Sequence, residues 1–322
     1  MAPTRSPGRL AQALARRLTS LGGTIRTEAD VTRIEVRNGR VTGVRLRSGE
    51  SIGAGRVVAA INPKITLLQL LPPDTLAQHL LQRMRAAHIS NAVQFVVHVA
   101  VSRLPAYRDD PGDDAWNGMQ AMTRDLPQVS RAFAEAIAGI APTDPPVYAF
   151  TTSAVDNTLA PPGQHTLYLA CPAYPARFAD GSSWHDRGEV EAERLIAAMA
   201  QYVPDLRETI LGMRAWTPLE AEERIRLVGG HPMHLDITAD QLLVLRPLPG
   251  LGGYRTPIKG LYLSGAGTNP AGGVVGAPGR NAAGAVLADV HRTRRTVASA
   301  AFAAAAVGAG WAGTQRRHGR HA

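Results

Sequence analysis

The sequence predicts an α/β fold in which an α+β lobe is inserted into a lobe formed by two separate parts of the chain. Helix and strand patterns in residues 6–63 resume as a strand, a glycine-rich turn and a helix within residues 246–290. Residues 64–245 have a different sequence pattern from these two segments, with proline-rich loops between stretches of alternating and of helical periodicity. The chain of 322 residues exceeds the ~250–300 residues beyond which a single core stops growing, so two lobes are expected.

The first segment is predicted to start with a short amphipathic helix. Ser6-Pro7 is typical of a helix start, and leucines between Leu10 and Leu21 recur on one helical face. Short β-rich runs follow at residues 24–27, 31–37, 41–47 and 56–61. Asn38-Gly39, between two of these runs, predicts a tight hairpin turn.

The inserted lobe, residues 64–245, is predicted to mix helices and strands. The alternating run at 91–101 indicates a strand, and residues 127–138 and 189–202 have helical patterns. The apolar residues of 189–202 are typical of core packing and would also suit an apolar tunnel. Two histidines and an aspartate occur in residues 231–236, but the proline beside them opposes a regular helix, so no metal site is predicted.

Composition argues against a nucleic-acid partner and against disulfide chemistry. The net charge is +9, but the Ala/Gly-rich tail at 291–322 holds six arginines and no acid, which leaves 9 − 6 = +3 for residues 1–290. Cys171 is the single cysteine and its neighbours are apolar, which favours a buried structural thiol. We expect a cytoplasmic protein, with a disordered or loosely helical tail that makes at most weak membrane contact.

The most informative segment runs from residue 261 to residue 281. An apolar strand is followed by a glycine-rich turn and by a helix that begins near Pro278. Glycines let backbone N–H groups approach an anion or a flat ring, and the positive end of the helix points to the same place. Spacing alone leaves two interpretations open: a phosphate or flavin site, or a tight connection without a ligand.

The residues of this segment resemble a known family. YRTPIKGLYLSGAGT at 254–268 and GGVVGAPGRNAA at 272–283 are similar to the C-terminal signature of phytoene-desaturase-like, FAD-dependent oxidoreductases. The similarity is greatest to the pyridine nucleotide-disulphide oxidoreductase domain-containing protein 2 group, and it extends over residues 6–290. It implies a Rossmann-like FAD/NAD(P)-binding lobe at 6–63 and 246–290, and an α+β substrate lobe at 64–245.

The resemblance also implies FAD as the cofactor and assigns its contacts. Gly265, Ala266 and Gly267 correspond to the phosphate side of the site. Val275, Gly276 and Ala277 correspond to the flavin side, and Gly273 and Val274 belong to the same cofactor-binding segment. Val31 corresponds to an adenine contact and Ala60 to a position near the adenosine. His234 is a weak catalytic candidate near the flavin and the substrate, with a hydrogen-bonded structural histidine as the alternative.

One part of the family pattern is missing before residue 6, namely the βαβ unit with G-x-G-x-x-G. The literal match at residues 308–313 is a decoy, because only nine residues follow it and none is acidic. A gene fragment, a mis-called start codon and a split enzyme with a separate N-terminal nucleotide-binding chain all remain open. The expected activity is dehydrogenation or desaturation of an apolar small molecule, and the alternative is a non-catalytic remnant that binds a hydrophobic ligand or assists assembly.

Overall fold

The computed structural model describes residues 8–109, 112–293 and 295. Contacts divide the chain into two compact units. The sheet unit comprises Met1–Ala29 and His88–Asp236, and the turn unit comprises Asp30–Ala87 and Ile237–Ala322. Among the helices of the described residues, none is both long enough and apolar enough to cross a membrane.

Helices and strands alternate along the chain, as expected for the α/β class. The helices are α1 (Gly8–Ser20), α2 (Gln78–Ala86), α3 (Leu126–Ile137), α4 (Thr152–Val155), α5 (Trp184–Ala200), α6 (Leu206–Thr209), α7 (Pro218–Ile225) and α8 (277–293). The strands are β1 (Val31–Arg37), β2 (Arg40–Leu46), β3 (Ser51–Gly53), β4 (Val57–Ala59), β5 (Ala92–Val101), β6 (Gln120–Met122), β7 (Val147–Phe150), β8 (His165–Pro175), β9 (Ile210–Trp216) and β10 (Leu261–Leu263).

The sheet unit is built on a five-stranded antiparallel sheet with the order β6-β7-β8-β5-β9. Its two longest strands, β5 and β8, pair along most of their length, so that Val97 lies opposite Leu169. Alternate residues of both strands enter one core with α3 and α5, which contribute Ala132 and Leu195. The period-two pattern of β5 therefore places one face of the sheet against helices.

A buried carboxylate fixes α5. Glu191 is fully buried and accepts hydrogen bonds from Arg187 and Arg194, each at 2.7 Å. Arg194 also donates to the carbonyl oxygen of Pro142 at 2.6 Å. A buried charge is tolerated only when it is paired and hydrogen-bonded, so these two arginines are what allow Glu191 to face the core.

The turn unit contains two small sheets. The strands β1, β2 and β3 form an antiparallel sheet, and β4 and β10 form a parallel pair. Asn38 and Gly39 join β1 to β2 with φ of 51° and 68°, as the hairpin prediction requires. The backbone amide of Ile34 in β1 donates to the carbonyl oxygen of Leu70 at 2.8 Å, which holds residues 64–87 in this unit.

The unit boundaries differ from the predicted lobe boundaries at three places. Residues 64–87 and 237–245 belong to the turn unit, whereas α1 groups with the sheet unit. Side-chain hydrogen bonds to residues of the turn unit explain the first two: Arg83 donates to the Pro249 carbonyl at 3.3 Å, and Arg246 donates to the Gln241 carbonyl at 3.0 Å. Such bonds leave no local pattern in the sequence.

Several predicted elements are confirmed and others need correction. The strands at 31–37, 41–47 and 91–101 and the helix at 127–138 are present, within one residue at each end. Residues 24–27 are not a strand. The helix predicted at 189–202 begins five residues earlier, at Trp184, because the Ser183 side chain caps it by accepting from the His185 amide at 3.1 Å. Ser6-Pro7, the decoy at 308–313 and nearly all of the tail lie outside the described residues.

Candidate functional site

The candidate site begins where β4 and β10 end side by side. Leu263 is paired with Ala59, and the Ser264 amide continues the ladder by donating to the Ala59 carbonyl oxygen at 2.9 Å. Gly265 follows with φ of 82°, and a Cβ built on it would lie 3.1 Å from the carbonyl oxygen of Ala60. Only glycine suits both the dihedral and the close approach. The structure thus brings Gly265 and Ala60 together.

Internal hydrogen bonds hold the first part of the glycine-rich turn. Thr268 is buried, and its amide and hydroxyl both donate to the Gly265 carbonyl oxygen, at 3.0 and 2.8 Å. The fully buried Arg246 donates from Nε to the carbonyl oxygen of Ala266 at 3.0 Å. Gly267 is buried within the same curl. These bonds engage carbonyl oxygens on the inside of the turn, and they fix the backbone of the predicted phosphate side.

The second part of the turn is open. Gly273, Val274 and Gly276 have φ of 106°, 57° and 68°, and Val274 is 90% exposed. A Cβ on Gly276 would meet nothing within 4 Å. An apolar side chain exposed in a left-handed conformation is unfavourable by itself, which is typical of a segment that contacts a ligand. Gly273, Val275 and Gly276 are exposed as well, and Ala277 begins the helix.

Helix α8 follows directly and presents its amino-terminal end to this open segment. The first N–H groups of a helix have no acceptor within the helix, so they are available to an anion or a ring edge. Pro278 has no N–H to offer and sets φ for the first turn. The residues from 265 to 279 therefore fit FAD: an unobstructed backbone cradle, free helix amides and exposed apolar side chains lie in one continuous segment.

Contacts behind the turn anchor α8 on β10. The Asp289 carboxylate accepts from Arg255 at 2.8 Å and from the Tyr262 hydroxyl at 2.9 Å. The hydrogen bond from Arg255 is the main reason that the pKa of Asp289 lies below its usual value. This ion pair secures the helix that the open segment leads into.

The other two predicted site residues belong to other elements of the chain than the turn. Val31 is half-buried in β1, opposite Leu46, and belongs to the three-stranded sheet of the turn unit. His234 belongs to the sheet unit, where its amide donates to the His231 carbonyl oxygen at 3.1 Å. The Nε2 atom of His231 lies 3.1 Å from the carboxylate of Asp236. Both histidines therefore take part in contacts within the loop at residues 231–236. Among the described residues, no cluster of His, Cys, Asp or Glu could hold a metal ion.

The sheet unit carries a row of rings on the face opposite α3 and α5. Phe150, Tyr168, His98 and Arg214 lie opposite one another on four neighbouring strands. The Phe150 and Tyr168 ring centroids are 5.6 Å apart, and those of Tyr168 and His98 are 5.4 Å apart. Burial, and secondarily the charge of Arg214, lower the pKa of His98. Arg214, at the end of the row, shares the carboxylate of Glu220 with Arg224.

Sequence reasoning missed three residues of the site: Arg246, Tyr254 and Asn281. All three occur inside or next to the motif that carried the resemblance, but nothing in their local pattern marked them. Each acts through a hydrogen bond to a residue 12 or more positions away, which only the folded chain displays.

Comparison with known proteins identifies the family. Residues 3–252 match the family model described as FAD dependent oxidoreductase, so the glycine-rich turn lies beyond the matched region. The chain is 33% identical over 292 residues to mouse pyridine nucleotide-disulfide oxidoreductase domain-containing protein 2, covering 88% of this chain and 50% of the relative. It is 28% identical to the neurosporene-forming phytoene desaturase of Cereibacter sphaeroides, covering 89% and 53%.

Solved structures agree on the fold. An oxidoreductase from Methanosarcina mazei superposes with a TM-score of 0.54 at 16% identity, covering 86% of this chain and 52% of that one. Cyclohexylamine oxidase from Brevibacterium oxydans gives a TM-score of 0.52 at 15% identity, covering 88% and 52%. The chain spans about half the length of these relatives. From the family match, the chain belongs to the FAD-dependent oxidoreductases, a family whose cofactor is FAD.

Proposed function

We propose that this chain provides the flavin-facing turn and the substrate lobe of an oxidoreductase of the dehydrogenase or desaturase type, with an apolar small molecule as substrate. We further propose that a βαβ nucleotide-binding unit outside residues 1–322 completes the FAD site. The observation that carries the proposal is the parallel β4–β10 pair, which ends in an exposed glycine-rich turn.

A parallel sheet of only two strands is unusual in a folded protein. Parallel strands occur almost only in larger sheets whose two faces are both covered. Val58 of β4 is 45% exposed, and Ile61 just beyond it is 41% exposed. Apolar side chains at this edge favour further strands beside β4, and a βαβ unit supplies parallel strands together with a covering helix.

Different residues of the turn would contact different parts of FAD. Gly265, Ala266 and Gly267 offer backbone to the pyrophosphate, and Ala60 lines the same edge. Val275, Gly276 and Ala277 lead to the α8 amino terminus, whose N–H groups suit the electron-rich edge of the flavin. FAD, when bound, would accept a hydride, which carries two electrons, from a C–H bond of the substrate, and the protein would position the substrate and exclude water.

The aromatic surface of the ring row supports an apolar substrate. Phe150 and Tyr168 offer aromatic surface, and His98 is held toward its neutral form. Arg214 shares the carboxylate of Glu220 with Arg224. The aligned rings offer apolar surface that a ligand can bury, which favours an apolar substrate.

The test compares the flavin content of the chain purified alone with that of the chain co-produced with the N-terminal half of a related oxidoreductase. We expect visible flavin absorbance only in the second sample. Without the βαβ unit several charge-assisted hydrogen bonds are lost, at ~1.5–3 kcal/mol each, which lowers affinity by several powers of ten.

Two results would contradict parts of this proposal. A yellow, monodisperse chain obtained alone would remove the need for a second nucleotide-binding unit. A colourless complex with the added half would argue for the non-catalytic alternative, in which the chain binds a hydrophobic ligand without redox chemistry.

We also propose that the protein is cytoplasmic, has no nucleic-acid partner and makes at most weak membrane contact through its basic tail. The near balance of charge in residues 1–290 supports the second point. Co-sedimentation with anionic vesicles that disappears at high salt is the expected behaviour of such a tail, and salt-resistant binding would contradict it.

A further inference from the structure

The Tyr254 hydroxyl joins the two halves of the glycine-rich turn segment. It donates a hydrogen bond to the Asn269 carbonyl oxygen at 2.7 Å and accepts one from the side-chain amide of Asn281 at 2.8 Å. Asn269 lies in the middle of the turn, and Asn281 lies in the first part of α8. One hydroxyl group therefore spans the open segment that begins after Asn269 and ends at the helix start.

The backbone of Tyr254 is fixed as firmly as its side chain. Its carbonyl oxygen accepts from the Leu263 amide at 2.8 Å, so the residue is attached to the end of β10. The residue is 7% exposed and packs in a cluster with Tyr262, Ala282 and Ala285. Tyr254 thus contacts the strand, the turn and the helix that together make the candidate site.

The conformation of Tyr254 is unfavourable without these contacts. Its φ is 67°, in the left-handed region that bulky residues rarely adopt. Glycine would adopt this dihedral without strain, but it would supply neither the ring nor the hydroxyl. Strained residues persist where the surrounding structure over-determines them, and they concentrate at functional sites.

We propose that Tyr254, together with Asn281, is a positioning residue that holds the glycine-rich turn in its FAD-binding form before the cofactor arrives. This inference rests on the proposed function. The hydroxyl fixes the separation between Asn269 and α8, so the exposed residues between them start from one backbone arrangement. Preorganisation of this kind raises affinity because less conformational entropy is lost on binding.

The experiment compares Tyr254→Phe with Tyr262→Phe as a matched control. Tyr262 belongs to the same buried cluster, but its hydroxyl bonds to Asp289 and not to the turn. Hydrogen exchange is first measured on the chain alone, where no flavin is needed. We expect amides of residues 264–280 to exchange about tenfold faster in Tyr254→Phe, because the two hydrogen bonds of the hydroxyl are lost. They should be unchanged in Tyr262→Phe, because Arg255 still bonds both carboxylate oxygens of Asp289 and keeps α8 anchored.

The second measurement is FAD affinity in the complex with the added nucleotide-binding half. We expect the Kd for FAD to rise about tenfold in Tyr254→Phe and to stay within twofold of wild type in Tyr262→Phe. Equal exchange in the two variants would overturn the proposal, and so would faster exchange with an unchanged Kd.

The exchange arm separates this inference from the proposed function. If the wild-type complex binds no FAD, the proposed function fails, while the exchange rates still report whether Tyr254 holds the turn. Asn281→Ala serves as a second variant should Tyr254→Phe fold poorly, since it removes the Asn281 amide and leaves the ring in place. It is expected to accelerate exchange in the same residues by a smaller factor, and no acceleration would count against the inference.

Discussion

Substitution of Gly276 by aspartate tests where the cofactor lies. The Cβ of any residue at this position would point into open space, so the fold itself does not exclude a side chain. The cost to stability comes from the dihedral, since φ is 68° and a non-glycine residue there costs about 1–2 kcal/mol, somewhat less for Asp, which tolerates the left-handed region. The variant should therefore fold.

The effect on FAD binding is expected to be larger than the effect on folding. A carboxylate here takes the place of a backbone contact with the flavin edge, and repulsion from a unit negative charge on the cofactor at roughly 4–8 Å costs ~2–4 kcal/mol at an effective dielectric constant near 20. Because each 1.4 kcal/mol is about tenfold in affinity, the Kd for FAD should rise by roughly 30-fold to 1,000-fold. The uncharged Gly276→Asn variant isolates the contribution of charge and should be less impaired.

Gly39→Asp provides the control for folding. Gly39 has the same φ of 68° and also has open space at its Cβ, but it lies in the hairpin turn between β1 and β2. Both aspartate variants should show the same loss of thermal stability, and only Gly276→Asp should lose affinity in an FAD fluorescence titration of the reconstituted complex. Unchanged affinity in a Gly276→Asp protein as stable as Gly39→Asp would show that the flavin does not contact this turn.

Three further predictions concern the sheet unit. Glu191→Gln should lower the free energy of unfolding, measured in urea, by about 2–3 kcal/mol. This loss is smaller than for a fully buried ion pair, because the two arginine partners are 29% and 35% exposed. The control Glu193→Gln, at an exposed glutamate, should change the free energy of unfolding by less than about 0.5 kcal/mol. Burial raises the pKa of Cys171 to about 12, so its thiol should resist a disulfide reagent at pH 8 until the chain unfolds, and rapid native labelling would contradict this. The lowered pKa of His98 means that the folded state binds its proton less tightly than the unfolded chain, so its contribution is present above the unfolded pKa of ~6.5 and is lost below it. Unfolding measured from pH 7 to 5 should therefore show wild type losing stability relative to His98→Gln, and parallel curves would refute the assignment.

Local features were predictable because their causes are local. The hairpin at Asn38-Gly39, the alternating strand β5 and the strand at 261–263 follow from turn chemistry and from side-chain period. The glycine-rich turn and the helix after it were equally visible, and resemblance to FAD-dependent oxidoreductases gave them a ligand. The prediction of a strand at residues 24–27 was wrong. A β-rich composition forms a strand only where a neighbouring strand offers hydrogen bonds.

The sequence by itself determined the family, the cofactor class and the order of strand, turn and helix in the candidate site. Only the tertiary structure decided which distant residues hold that site: Arg246 behind Ala266, and Tyr254 between Asn269 and Asn281. It also decided the register that aligns Phe150, Tyr168 and His98 across three strands. These relations depend on which backbone groups meet after the chain has folded, and hydrogen bonds between positions far apart in the chain leave no period, cap or turn signal in the sequence.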